Sequence, residues 1–234
     1  MEEGVIGMVR GEFYEILELL EKDKKIYEIM EDCPYQILKS MKLRKYGAGE
    51  FVLNQGETYD VMHLIVEGEA DIFVESEQGK KYYLASYGRG SFIGELELFN
   101  RKPYMSYVES RNPIVTLELE RNKFLRWLEC DRHFNYYFMN FLSSECYESM
   151  QKMGKNTLYT LKQRICQFLI DNMDEHGKQK KNMSAEILSE RMGVTSRSVH
   201  RILKDLKDKG IIEINKSNVI IMDFEQLQKE KDEK

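Results

Sequence analysis

The spacing of apolar positions changes along the chain, and the change divides it. Residues 61–66, 70–74, 81–84 and 115–120 are short β-rich runs, the last alternating apolar and polar. Gly56, Gly68, Gly79, Gly88, Gly90 and Gly94 punctuate this region at hairpin-like intervals. Many short strands with regular turns predict a sandwich or barrel, here a jelly roll. Ahead of it, residues 13–30 carry Ile16, Leu17, Leu20, Ile26, Ile29 and Met30 at loosely helical spacing, which predicts a helical lead-in. Beyond it, no Gly or Pro follows Asp131 until Gly154, which predicts a continuous helix of ~35 Å at about 1.5 Å per residue. Phe134, Phe138, Phe141, Leu142, Cys146, Ser149 and Met153 run along it, with Tyr136, Tyr137 and Tyr147 beside them. Such a stripe needs cover, either from the chain's own β domain or from the same helix of a second subunit. We assign Phe134, Phe138, Phe141 and Leu142 to a two-fold seam.

In the last third the period is helical again, in two short pieces. Residues 185–206 read as two helices joined at Gly193. Leu188, Met192, Val194, Val199 and Ile202 fall where a helix-turn-helix buries side chains, with small Ser189 where the helices approach closely. Ser196, Arg197, His200, Arg201 and Lys204 are left outward on the second helix, three and four apart. They share one face, and all can hydrogen-bond to base edges or phosphates. Ser184 is the expected N-cap of the first helix, and helix N-termini suit phosphate. After Gly210, the runs 211–214 and 219–222 flank Asn215, Lys216, Ser217 and Asn218, which is a hairpin with a polar turn. Helix, turn, helix, hairpin spells a winged helix-turn-helix, with Lys216 as the wing contact.

Net charge refines this picture. The chain carries −5, which argues against nucleic acid until it is divided. Residues 156–221 hold 12 Lys+Arg against 8 Asp+Glu, while the remainder holds 23 against 32. A basic reading module beside an acidic sensor module is the implied layout. Four scattered cysteines, Cys33, Cys130, Cys146 and Cys166, form no Cys-x-x-Cys pair, so neither a zinc site, an iron–sulfur cluster nor a disulfide framework is expected. His63 sits mid-strand as a satisfied core residue, and His133 and His176 have no ligand-type partner at useful spacing. No metal, no cofactor and no catalytic nucleophile–base pair is expected, so the chain reads as a non-enzyme. No apolar run approaches the ~18 residues of a membrane span, and the acidic start is unlike a secretory signal, which implies a cytoplasmic protein.

These segments together resemble the cyclic-AMP receptor and fumarate–nitrate regulator (Crp/Fnr) family of bacterial transcription regulators. The resemblance rests on YDVMHLIVEGEADIFVE, on SFIGELELF at residues 91–99, on the long helix and on GVTSRSVHRILKDLKDKGII. It implies an α+β chain. The parts are a lead-in (1–32), a cyclic-nucleotide-binding-like β jelly roll (33–125), a dimerisation helix (126–155), a winged helix-turn-helix (156–228) and a tail (229–234). It further implies a homodimer on a palindromic operator in double-stranded DNA, action as an activator, and contact with RNA polymerase. In relatives that bind cyclic nucleotide, SFIGELELF is the phosphate-binding cassette, which places Gly94, Glu95 and Leu96 against the ligand. The Arg–Ser pair that neutralises the cyclic phosphate falls among Tyr104, Met105 and Ser106, and no arginine is there. Of the two hydroxyl residues that meet adenine on the long helix, only Ser149 is kept, beside Met150. The expected effector is therefore an unknown small molecule other than cyclic AMP. The alternative is a small-molecule receptor whose helix-turn-helix serves protein contact.

Overall fold

A computed structural model describes residues 13–173, 183–216 and 218–233; His176 and Ser217 lie outside them. The chain divides into two compact units, one running to Glu75 and including Leu84–Glu145, the other comprising Ser76–Tyr83 and the chain from Cys146 onward.

The first unit begins with helices over 13–22 (α1), Lys24–Met30 (α2) and Tyr35–Leu38 (α3). The expected single lead-in helix is broken because Asp23 caps α2, its carboxylate accepting the Lys25 and Ile26 N–H groups. Eight strands follow along the chain, β5 beginning in the stretch that belongs to the other unit: β1 (Lys42–Tyr46), β2 (Val52–Leu53), β3 (Val61–Glu67), β4 (Ala70–Glu75), β5 (Lys81–Tyr87), β6 (Phe92–Ile93), β7 (Tyr107–Ser110) and β8 (Ile114–Glu120). They make two four-stranded sheets, β1-β8-β3-β6 and β2-β7-β4-β5, giving the jelly roll its two layers. β3 is buried on both sides, with Met62 to Val66 all covered and His63 the polar exception, as befits an inner strand. The short α4 (Glu95–Asn100) follows β6, and α5 (Arg121–Cys130) follows β8.

The long helix α6 (Arg132–Leu158) starts later than residue 126 because Asp131 is extended. The Asp131 Oδ1 accepts the Phe134 N–H, closing the first turn of α6. Gly154 lies inside the helix and does not end it.

The seam assignment needs correction. Phe134 and Phe138 are fully buried, and Phe141 and Leu142 pack against the same cluster, which contains Phe92, Phe124 and Trp127. Trp127 stacks on Phe134 at 3.4 Å between ring centroids. Phe134 and Phe138 are thus spent on the chain's own β roll and are closed to a partner, while Phe141 and Leu142 are half-buried beside them. The helix has a second apolar row, Tyr136, Met139, Cys146, Met150 and Met153, and it is exposed.

In the second unit, α7 (Leu161–Asp171), α8 (Ala185–Met192), α9 (Ser196–Asp208) and α10 (Phe224–Asp232) surround the hairpin of β9 (Ile212–Asn215) and β10 (Asn218–Ile221). Their shared core holds Ile165, Leu169, Leu188, Val199, Leu206, Ile211 and Val219. An ionic clasp ties α10 to α7 and α9. The Glu230 carboxylate, 5 % exposed, meets Lys162 and Lys209, and Lys162 also reaches Asp205 at 3.0 Å.

Candidate nucleic-acid interface and sensor pocket

The helix-turn-helix positions pack as their spacing requires. Leu188 and Val199 are fully buried, Ile202 nearly so, and Met192 and Val194 lie against the same core. Gly193 caps α8 at φ +67°, a conformation that would strain a side-chain-bearing residue. The Ser184 hydroxyl accepts the Ile187 N–H at 3.3 Å, so Ser184 is the N-cap of α8. Thr195 does the same for α9, accepting the Ser198 N–H at 3.3 Å. Sequence reasoning missed Thr195, although its position just ahead of the outward row was the available signal.

Ser196, Arg197, His200, Arg201 and Lys204 are all exposed on α9, opposite buried Val199, Ile202, Leu203 and Leu206. Three of the five, Arg197, Arg201 and Lys204, carry positive charge. The His200 Nδ1–H donates to the Ser196 carbonyl at 2.8 Å, which leaves Nε2 outward as an acceptor in the neutral ring. The Ser196 hydroxyl lies 3.4 Å from that of Ser189, joining the two helices at the turn. Lys216 is exposed in the hairpin turn at φ +45°. This surface can donate to phosphates and to guanine or adenine edges in a groove the width of a helix.

In the N-terminal unit, Gly94 sits at φ +89° and caps α4, so Glu95 enters the interior rather than solvent. Glu95 is 6 % exposed, and burial pushes its carboxyl up to about 8. At neutral pH it is mostly protonated, so it can donate a hydrogen bond. Leu96 and Met105 are exposed, whereas Ser106 is buried. Tyr104 fills the space beside the cap of α4. It is 2 % exposed, edge-on to Tyr59, and its hydroxyl is so close to Gly94 that a Cβ there would collide with it. The Tyr104 hydroxyl is buried without a hydrogen-bond partner. Burial and the neighbouring Glu97 and Glu95 hold it above the ordinary phenol range. The nearby cations are turned elsewhere: Arg101 and Lys102 are exposed, and the Arg121 Nε–H donates to the Leu98 carbonyl at 2.6 Å at the end of α4. The structure thus gathers Gly94, Glu95 and Tyr104 and buries Ser106, while Ser149 is exposed on the part of α6 that belongs to the other unit.

His63 also needs correction, since it is buried but not satisfied. Its Nδ1 has no hydrogen-bond partner and lies 3.6 Å from a Glu118 oxygen already held by the Tyr46 hydroxyl. Burial lowers the His63 pKa to about 4, only partly opposed by Glu118, so the contact is not an ion pair at neutral pH. His133 has company that its sequence neighbours did not reveal: its ring lies with the carboxylates of Asp32 and Asp131.

An eight-stranded roll with a capped cassette and a second unit bearing a winged helix-turn-helix define a two-module DNA-binding regulator. Residues 43–131 match the cyclic nucleotide-binding domain, and residues 163–230 match the Crp-like helix-turn-helix domain. The chain belongs to the Crp/Fnr family of transcription regulators. It is 22 % identical over 191 residues to the cAMP-activated global transcriptional regulator CRP of Salmonella typhimurium, covering 79 % of this chain and 91 % of that one. It is 24 % identical over 197 residues to the anaerobic regulatory protein of Bacillus subtilis, covering 80 % and 83 %. Among solved structures, the c-di-GMP responsive global regulator CLP of Xanthomonas campestris superposes with TM-score 0.71 at 16 % identity, over 86 % of this chain and 99 % of that one. A Crp/Fnr-family regulator from Eubacterium rectale gives 0.71 at 12 % identity, over 87 % and 97 %. No described helix is long and apolar enough to cross a membrane.

Proposed function

We propose that this chain is a homodimeric, sequence-specific DNA-binding transcription regulator, acting in the cytoplasm as an activator and through contact with RNA polymerase. In this reading Arg197 and Arg201 specify bases, Ser196 and His200 supplement them, and Lys204, Lys216 and the α8 N-terminus at Ser184 meet phosphate. The observation that carries the reading is the exposed row on α9, set opposite a complete helix-turn-helix core. Two copies related by a two-fold axis would place two such helices about 34 Å apart, matching half-sites one turn of DNA apart.

The dimer seam is reassigned to Tyr136, Met139, Cys146, Met150 and Met153. Together with exposed Ser143 and Thr157 they alternate three and four apart, the heptad spacing of a coiled seam. The relatives' names speak of cyclic AMP and c-di-GMP, but the effector here is read as neither. A cyclic phosphate at this cassette would meet the Tyr104 ring and no cation, and an unneutralised buried phosphate binds poorly. The regulator is not an enzyme in this reading.

The test is an anisotropy titration against labelled genomic fragments with excess random competitor. A subset of fragments should stay bound, with the logarithm of affinity falling linearly against that of salt. If competitor strips every fragment equally, the helix-turn-helix does not read sequence and protein contact becomes the better account.

A further inference from the structure

The corner between α5 and α6 holds a side-chain cluster that neither DNA binding nor the cassette uses. Asp131 is 4 % exposed. Its Oδ2 accepts the Trp127 Nε1–H at 2.8 Å and its Oδ1 accepts the Phe134 N–H at 2.9 Å. Both donors are neutral groups, so neither brings a formal positive charge to the carboxylate. Among the described residues no Lys or Arg makes an ion pair with it. Asp32, from the turn after α2, brings a second carboxylate, and His133, in the first turn of α6, brings an imidazole. One ligand atom from each residue lies within 4.8 Å of the other two.

The cap on α6 explains the two hydrogen bonds of Asp131 but not the rest of the cluster. Two carboxylates drawn together repel unless something positive stands between them. Independently, the His133 Nδ1 is buried without a hydrogen-bond partner, although a buried ring nitrogen normally has one. A cation would answer both.

From this geometry we infer a binding site for one divalent transition-metal ion, held by Asp32, Asp131 and His133. Two oxygens and one imidazole nitrogen suit Zn²⁺, Mn²⁺ or Fe²⁺, and three protein ligands leave open positions, as in exchangeable rather than closed structural sites. A bound ion would tie the turn after α2 to the start of the long helix. The inference does not depend on the DNA-binding reading.

Tag-free, metal-stripped full-length protein is titrated with Zn²⁺, and separately with Mn²⁺, by calorimetry. One Zn²⁺ per chain is expected at a micromolar Kd. Asp131 supports the fold, so the informative variants are Asp32→Asn, at an exposed position, and His133→Gln, which breaks no hydrogen bond. Each should weaken Zn²⁺ at least tenfold. The pair Cys33→Ser and Cys130→Ser, whose thiols lie nearby, should leave Zn²⁺ affinity within about twofold, well inside the effect of losing a ligand. No binding of either metal tighter than about 100 µM would overturn the site. So would wild-type affinity in both Asp32→Asn and His133→Gln, or loss confined to the cysteine variant.

Discussion

Replacing Glu95 with Gln removes one titrating proton from the buried cassette and leaves its shape. Burial moves this carboxyl from 4.5 to about 8, so the folded state holds its proton more tightly than the unfolded chain does. The sign follows from that. The contribution to stability is fully present below about 4.5, falls as pH rises through the interval, and is gone above about 8. At about 1.4 kcal/mol per unit, the loss amounts to ~5 kcal/mol at most, or ~15 °C in Tm for a unit of this size. His63 works in the opposite direction, because its lowered pKa costs stability as pH falls toward 4. It cancels when wild type is compared with Glu95→Gln at each pH. Trp127 is the chain's single tryptophan and is fully buried in the N-terminal unit, so its fluorescence reports that unit alone. Urea or thermal melts at pH 5 to 9 should show the variant gaining on wild type steadily, to a plateau above pH 8.5. Parallel curves across that range would refute a buried, protonated Glu95.

Three further outcomes follow from the structure. Cyclic AMP and cyclic GMP should bind no tighter than roughly millimolar by calorimetry, and Met105→Arg combined with Tyr104→Ala should gain affinity; micromolar binding to the unaltered chain would show that the pocket opens past Tyr104. Mild oxidation should cross-link two chains through exposed Cys146, the cross-link vanishing in Cys146→Ser, while Met150→Glu should shift the sedimentation mass to monomer; an unshifted mass removes Met150 from the seam. Glu230→Ala should destabilise the C-terminal unit by ~2 kcal/mol, below the ~3–5 of a fully buried pair because Lys162 and Lys209 are partly solvated; a denaturation midpoint equal to wild type would show the clasp to be idle.

The helix-turn-helix was legible because its code is local. Buried Leu188, Val199 and Ile202 and outward Arg197, Arg201 and Lys204 are fixed by a single helical period and one glycine. The helix start after Gly94 was legible in SFIGELELF, but what packs on it was not visible. No pattern in PYMSYV says that the Tyr104 ring turns inward, since that depends on Tyr59 and Gly94, which it packs against. The seam was misread for a physical reason. The phenylalanines of α6 are the stronger hydrophobes, and its own β roll takes them, leaving the weaker row of Tyr136, Met139, Cys146, Met150 and Met153 outside. Two-residue strands such as β2 and β6 are too short to alternate. Asp32 meets Asp131 and His133 only through tertiary folding, which spacing cannot reveal.

The central claim is that α9 reads DNA sequence, and the direct measurement is a comparison of Arg197→Ala and Lys204→Ala on a selected fragment and on random DNA across salt concentrations. Arg197→Ala should cost about 1–3 kcal/mol on the selected fragment and much less on random DNA, narrowing the preference between them. Lys204→Ala should weaken both alike and lower the salt slope by about one. If Arg197→Ala weakens selected and random DNA equally, the arginine only positions the protein, and the assignment of base reading to this face is contradicted.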